Sequence, residues 1–540
     1  MDSQAPDKPT LSELLKGSAL VFVVQFLAIW PSHAAYLVLQ DEGNMLEWAS
    51  RLNQGQLPYR DFFMRFMPAT PFGLRFFFLA LGEQIWVARL YFMLSLSLLC
   101  VVVWLVSRCL MPRWWSIVPP LMFVAVGGQM FPMAVFHWDA SIPALLALIC
   151  SAYFTEPRQQ LLAGGLAGLT VLYLQPRGVA VCLALAVMVL AAEGARFKRL
   201  AYLVGGAAVP GVLFVGWMLW RGIFGDFWSQ AILFNVLEYK AVQGYPFDWG
   251  LATNHFQTLA SGLSQFGNPT LWGWLVWFVR ALAFAGVDLV KYTGFFPVLV
   301  VFTGVFAVSL RRNEELAAST RSLLLGLLVL LWVSAYFALA RATRYHFNFL
   351  TVAWYPVLIY LVYWLQSLYP RLGRGLAACV AVVFLTHGID NVIGWGPYRY
   401  PIVFPRGTLY ATNPQLARAT QRLSDVLTEQ FQGQNLFAFP ELPQLIWLVG
   451  AHNPTDFESL VPLYYPEEAL QKAERQIRAA DRCGVLFLST APSVRGEYPN
   501  MDPDLYQKEE AKLLERLTKG AHKVAEIWYY RLYRFGPEGG

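Results

Sequence analysis

Two adjacent carboxylates, Asp41 and Glu42, open the stretch DEGNMLEWASRLNQGQLPYRDFFMRFMPATPFGLRFFFLALG, which runs from Asp41 to Gly82 directly behind the first hydrophobic span. An acidic pair where a membrane helix leaves the bilayer is an uncommon place for charge in so apolar a chain. It suits acid–base chemistry and marks the stretch as the active-site loop. Glu42 beside Asp41 should raise the first protonation step of the pair by like-charge repulsion. The competing explanation is that Asp41 caps a helix and Glu42 favours its positive end. The same loop carries Arg60 and Asp61 in PYRDFF, which are candidate substrate contacts. A further acid, Asp139 in FHWDAS, stands two residues from His137. Those two could hold a divalent metal together, but a hydrogen-bonded pair at a loop tip explains them more simply, and no HExxH or CxxC motif demands an ion.

The elements that must position these groups are membrane helices. With 56% hydrophobic, 16% aromatic and 14% charged residues among 540, the chain reads as an α-helical polytopic membrane protein. Hydropathy predicts eleven spans, at roughly 17–39, 85–106, 116–136, 140–154, 161–175, 178–192, 200–220, 291–310, 322–340, 348–369 and 375–394. Lys8 and Lys16, Arg108 and Arg113, Arg158, Arg196 with Lys198 and Arg199, Arg311 and Arg312, and Arg371 with Arg374 then fall on one side, which the positive-inside rule makes cytoplasmic. The loop at 40–84, a semi-polar roof at 221–290 and everything after 394 face outward from the cytoplasmic (inner) membrane. Within the loop, Met45, Trp48, Ala49 and Leu52 recur at helical spacing and predict a short amphipathic helix lying on the bilayer, stopped by Gly55. A second, more apolar helix follows Pro68 and Pro71 and ends near Gly82.

Beyond residue 394 the composition changes. Polar helices are expected at 415–431, 466–480 and 503–518, and NLFAFPEL, CGVLFLST and VAEIWYYRLYRF read as strands. Residues 395–540 should therefore form a small outward-facing α/β domain beside a membrane domain of 1–394. Of the six cysteines only Cys483 lies in this tail, which excludes a disulfide framework there and offers a native labelling probe. The net charge of +6 is mostly cytoplasmic-loop charge, so it speaks for topology and gives no reason to expect nucleic acid as a partner.

Cations with a function are found by asking which ones break the positive-inside bias. Arg177, Lys240, Arg341 and Arg344 fall at or near the outer side, the last two with His346 in RATRYHF between the ninth and tenth spans. Arginine grips phosphate with a bidentate fork. Snorkelling contact with lipid headgroups is the alternative.

A first helix followed by Asp-Glu, a long outward loop of surface helices and an outward loop carrying Asp139 resemble the C-type (GT-C) fold of membrane glycosyltransferases. The protein O-mannosyltransferase and aminoarabinose lipid A transferase group is the nearest likeness. DASIPALLAL and the LQPRG turn resemble that group as well, and DEG followed by QLPYRDFF resembles a bacterial branch of it. The resemblance covers residues 1–220 well and is topological beyond them. It departs from the better-known members at Gly43 and Asn44, where an Arg or Tyr is common soon after the acidic pair.

This resemblance implies a polyprenyl-phosphate sugar as donor, a glycan, glycolipid or protein as acceptor, and inverting transfer with Asp41 as base and Asp139 near the acceptor. Hexosyl and pentosyl transfer are both open. Two other classes compete. A multispan transporter or flippase would carry charges in mid-membrane and often inverted repeats, and a non-catalytic envelope assembly protein would tolerate loss of Asp41.

Overall fold

The computed structural model describes residues 10–36, 40–127, 133, 135–154, 156–237, 247–248, 273, 284–311, 316–395, 398–440, 442–461, 465–488 and 503–535. Helix α1 (Leu11–Ile29) begins with a capping box, the Thr10 hydroxyl accepting from the Glu13 N–H while the Glu13 carboxylate accepts from the Thr10 N–H. It stops at Ile29 instead of continuing toward residue 39. Pro31 has no N–H to carry the helix on, and the Ser32 hydroxyl donates back to the Ile29 carbonyl at 2.8 Å.

The chain continues through α2 (Gln40–Asn53), α3 (Ala69–Leu81), α4 (Ile85–Leu110), α5 (Phe136–Tyr153), α6 (Gln160–Tyr173), α7 (Gln175–Ala191) and α8 (Arg196–Arg221). Then follow α9 (Phe295–Arg311), α10 (Ala318–Ala338), α11 (Thr351–Leu368) and α12 (Pro370–Trp395). Among the described residues 6 helices are long and apolar enough to cross a membrane, or 7 if the pair Phe284–Thr293 and Phe295–Val308, bent by 55°, is one span. The short windows expected at 140–154, 161–175 and 178–192 fall on α5, α6 and α7. The window at 116–136 is broken into turns at Arg113–Ser116, Val118–Met122 and Phe123–Gly127, around Pro119 and Pro120. Most of the expected roof at 221–290 and the tail beyond 535 lie outside the described residues.

The bundle is assembled by close backbone approach where side chains are smallest. Along α6 and α8, a Cβ added at Gly164, Gly168 or Gly206 would run into the carbonyls of Leu203, Ala207 and Leu161 respectively. In lipid, where apolar surface gains nothing by leaving water, such small-residue seams bring helices into van der Waals contact.

The C-terminal region is the expected small α/β domain. Hairpin β1 (Tyr400–Phe404) and β2 (Gly407–Ala411) leads into α13 (Pro414–Phe431), β3 (Leu436–Phe439), α14 (Pro443–Val449), α15 (Glu467–Ala479), β4 (Gly484–Leu488), α16 (Pro503–Thr518), β5 (His522–Ile527) and β6 (Tyr530–Arg534). The sheet runs β3-β4-β6-β5, with β3 and β4 parallel and the rest antiparallel. VAEIWYYRLYRF is therefore a hairpin and not one strand, turning at Trp528 with φ 57. Cys483 is fully buried, so it is no labelling probe.

Two large hydrophobic cores result, beside two smaller clusters among the described residues, and the second of the large ones corrects an expectation. One fills the helix bundle. The other joins Met45, Leu46, Trp48, Ala49 and Leu52 of α2 to Ile402, Leu409 and Leu445 to Val449 of the C-terminal domain. Helix α2 does not lie on the bilayer: it is buried on nearly all sides between α3 and α14, and Glu42, Glu47 and Arg51 are buried in ion pairs.

The small-residue seam makes a direct expectation. Gly206→Leu forces α6 and α8 apart and should destabilise by about 1–3 kcal/mol. A thermal unfolding midpoint in detergent equal to wild type would contradict it, and Gly211→Leu, where the added Cβ meets open space, is the control.

Candidate active site

Asp41 and Glu42 sit in the first turn of α2 and have opposite fates. Glu42 is buried, bound by both forks of Arg89 from α4, with Arg89 Nη2 donating to its Oε2 at 2.7 Å, and Gln444 Nε2 from α14 donating to the same oxygen at 2.7 Å. Burial raises the Glu42 carboxyl and the Arg89 charge offsets part of the rise. The like-charge neighbour expected beside Asp41 is thus neutralised in an ion pair. Asp41 is half-buried, and among the described residues nothing hydrogen-bonds or ion-pairs with it. One carboxylate holds the loop and the other is left free.

The rest of α2 explains why the loop stands where it does. A Cβ on Gly43 would lie 2.5 Å from the Gln444 backbone nitrogen, so only glycine lets α2 meet α14 this closely. One turn on, Arg51 Nε donates to Glu47 at 2.9 Å and its Nη2 to the Thr455 carbonyl at 2.7 Å, while the Trp48 indole N–H donates to Glu458 at 2.5 Å. At the far end Glu83 accepts from Ser50 at 2.7 Å and Asn53 at 2.9 Å and pairs with Arg406 at 3.0 Å. The following loop is strapped down from the other side. Gln230 accepts the Met64 N–H at 3.0 Å, and Asn235 donates to the Arg65 carbonyl at 2.6 Å.

A cavity of about 380 Å³ lies beyond that strap, between the first turn of α5, the start of α7, residues 231–236 and the end of α10. Its walls are mostly apolar, with Leu174, Val179, Phe337, Phe349 and Leu350 among them, yet His137, Arg177, Arg341 and His346 all face it. Groups picked out in three separate stretches of the sequence therefore meet. Arg177 is buried and aimed by its bond to the Phe349 carbonyl at 3.0 Å, and His137 stacks on the Phe349 ring with centroids 4.1 Å apart. The His346 ring is T-shaped to His137 at 6.1 Å and shares a 2.8 Å hydrogen bond with Thr343. Burial, with the Arg341 charge, pushes the His346 imidazole down to about 3, so it is neutral. His137 and Ser334 line the same space, and His137 Nδ1 and Ser334 Oγ are buried without hydrogen-bond partners among the described residues. Two guanidinium groups on a mostly apolar wall fit an amphiphile with an anionic head.

The remaining candidates lie elsewhere. The Asp139 carboxylate accepts from Thr70 and Tyr91 at 2.7 Å and from Ser95, so it ties α3, α4 and α5 together. Among the described residues no group of three or more His, Cys, Asp or Glu could hold a metal. Arg60 and Asp61 pair with each other in a bidentate contact at 2.7 and 2.9 Å, outside the cavity. Arg344 opens a short helix, Arg344–Asn348, at the cavity's edge. Lys240 lies outside the described residues. Sequence reasoning missed Arg89, Gln444 and Glu458. The lone charge in the apolar run IWVARLYF was the available signal for Arg89, because an arginine within a span needs a partner.

No protein-family model matches the chain, and no curated protein is similar to it in sequence. Its backbone is similar to that of ArnT from Cupriavidus metallidurans bound to undecaprenyl phosphate, with a TM-score of 0.56 at 12% identity over 97% of this chain and 99% of that one. The apo state of the same protein gives 0.54 at 13% identity over 97% and 100%. An oligosaccharyltransferase from Archaeoglobus fulgidus, in complex with Zn and sulfate, gives 0.50 at 12% identity over 89% of this chain and 68% of that one. This is the GT-C fold of membrane glycosyltransferases. The resemblance read from the loop at Asp41 holds at the level of the fold. At such identity the likeness is one of architecture, and the GT-C fold leaves residue roles to the geometry above.

The Trp48–Glu458 contact carries a pH dependence. Burial pushes the Glu458 carboxyl up to about 8 from an ordinary 4.5, with the Arg51 charge and the Trp48 N–H offsetting part of the rise. A value raised in the folded state means that the folded protein holds this proton more tightly. Its stabilising contribution is full below 4.5 and is lost as pH rises to about 8. The unfolding midpoint should fall over that window in wild type and fall less in Glu458→Gln, and parallel pH profiles would refute the assignment.

Proposed function

We propose that the protein is an inverting glycosyltransferase that moves a hexosyl or pentosyl group from a polyprenyl-phosphate donor to an acceptor hydroxyl at the outer face of the cytoplasmic membrane. The observation that carries this reading is the cavity whose mostly apolar wall also carries Arg177, Arg341 and His137. It has the two-part character of a polyprenyl phosphate. The GT-C fold, shared with an ArnT structure bound to undecaprenyl phosphate, supports the same choice.

In the reaction Asp41 takes the acceptor proton while the acceptor oxygen forms its bond to the anomeric carbon. The bond from that carbon to the phosphate oxygen breaks on the opposite face, and its electron pair leaves with the phosphate. A phosphate monoester, with a second pKa near about 6, departs without being protonated. No acid partner of the glycosidase kind is needed. One free carboxylate is therefore sufficient, which fits Asp41 standing free while Glu42 is held by Arg89. Arg177 and Arg341 would stabilise the charge that grows on the phosphate, with Arg344 and Lys240 as further candidate contacts. Glu42 and Asp139 would position the loop and the helices around it. Glycan, glycolipid and protein acceptors all offer the hydroxyl that this chemistry requires.

Asp41→Asn should slow transfer by roughly 10²–10⁴-fold while donor binding is nearly unchanged, since the base is lost and little volume changes. The measurement is transfer from labelled polyprenyl-phosphate sugars to membrane acceptors with purified protein, beside donor binding, and wild-type turnover of the variant would place the base elsewhere. Arg341→Ala should cost on the order of a hundredfold in rate. Arg341→Lys should recover only part of it because the ammonium keeps the charge and loses the fork. If Lys restored the full rate, a headgroup anchor would replace the phosphate role.

A further inference from the structure

A second groove, of about 800 Å³, runs between the end of α2 and the flank of α8 and shares no lining residue with the cavity at Arg177. Its floor along α8 is Val209, Pro210, Leu213 and Trp217, ending at Arg221. The distance from Val209 to Arg221 along a helix is about 18 Å, the reach of an acyl chain and its glycerol. Leu213 is 69% exposed and Val209 54%, so this floor is open to the bilayer. At its head stand two guanidinium groups, Arg221 and Arg75 of α3, and no acidic side chain lines the groove. Arg75 is half-buried, its Nε is fully buried, and it has no hydrogen bond or ion pair among the described residues. Asp61, which feels the Arg221 charge, is already held by Arg60 and by the Leu57 N–H at 2.7 Å. Trp217 packs edge-on against Phe72 at 6.0 Å, a tryptophan at the level where aromatic residues meet headgroups.

We propose that this groove is a binding site for an anionic phospholipid of the surrounding bilayer, its phosphate between Arg75 and Arg221 and one acyl chain along α8. Two cations without an acid select a net-negative headgroup over a zwitterionic one, and arginine binds phosphate through paired N–H groups. The occupant is a resident lipid and not a reacting one. Leu52, which lines the groove, is eleven residues from Asp41 along α2, about 16 Å, so a lipid held here is not presented to Asp41. The lipid would brace Gln56, Leu57 and Pro58, where the loop leaves α2, so the site acts on the loop from the end opposite Asp41. It does not depend on the transfer reaction, and its test reads lipid binding alone.

The experiment is native mass spectrometry of the full-length protein after exchange into defined mixtures of dioleoyl phosphatidylglycerol and dioleoyl phosphatidylcholine. Wild type should retain one phosphatidylglycerol in preference to phosphatidylcholine. Arg75→Ala combined with Arg221→Ala should reduce that retention at least tenfold, and Arg75→Lys should keep part of it. Leu213→Trp, on an exposed face where the larger side chain meets no core, should fill the acyl track and also lower retention while the protein stays folded. No preference between the two lipids in wild type, or retention unchanged in both the double variant and Leu213→Trp, would overturn the proposal. Displacement of the bound phosphatidylglycerol by equimolar undecaprenyl phosphate would do so too, because it would make the groove a polyprenyl site.

Discussion

A carboxylate and a guanidinium taken out of water together are costly unless each finds the other and further hydrogen bonds besides. The Glu42–Arg89 pair meets that condition, since Arg89 also donates to the Ser32 carbonyl at 3.2 Å and Glu42 also accepts from Gln444. Through this one contact four segments are fixed: the end of the first helix, the start of the acidic loop, the α4 span and the α14 helix. Removing either ion would strand the other, which typically costs about 3–5 kcal/mol in a buried pair. The loop is therefore held by charge at its base and by glycine at its closest approach, and the carboxylate that remains free is carried on a rigid mount.

The same economy of contacts organises the rest. Glu83 collects the far end of α2 and the β1–β2 turn on one carboxylate, and Arg406 lies over the Trp447 ring at 4.7 Å while its N–H donates to the Leu448 carbonyl at 3.2 Å. Across the first helix exit the Tyr36 N–H donates to the Tyr410 carbonyl at 2.8 Å and the Tyr410 N–H to the Ala34 carbonyl at 2.7 Å, so the hairpin grips the membrane bundle as well as its own domain. What would be a mobile loop between two spans has become part of a second core. The apolar cavity borders that core and shares Phe136, Leu174 and Ala231 with it, and Asn235 of the strap lines it as well, so its walls are set by groups that are themselves held.

Much of this was legible in the sequence, and the parts that were not share a cause. Local periodicity located α4, α8 and α10, and the C-terminal helices at 414–431, 467–479 and 503–518 fell close to where polar patterning put them. The cations at 177 and 341 were found because they broke a charge bias, and they do line one cavity. By contrast α2 looked like a surface helix because Glu47, Arg51 and Asn53 stand off its narrow apolar stripe, and nothing local says that Arg51 also binds the Thr455 carbonyl or that Asn53 meets Glu83. The split of VAEIWYYRLYRF into two strands was hidden because Trp528 and Tyr529 turn without glycine or asparagine, the usual signal for such a bend. Pro401 and Pro405 likewise masked the β1–β2 hairpin, whose turn lies at Pro405 and Arg406. Local signals fix elements, and the site is made of contacts across hundreds of residues.

The contact between Glu42 and Gln444 spans 402 positions in the chain. At a synthesis rate of about 5–20 residues per second, the ribosome needs roughly 20 to 80 s after making the acidic pair before its last partner exists. Arg89, only 47 positions on, arrives within seconds and can neutralise Glu42 in the nascent bundle. Gly43, however, has nothing to lie against until α14 emerges. One of the first helices to be made is thus among the last to be completed, and a chain cut short before residue 443 would reach the membrane with its bundle formed and its acidic loop unsupported.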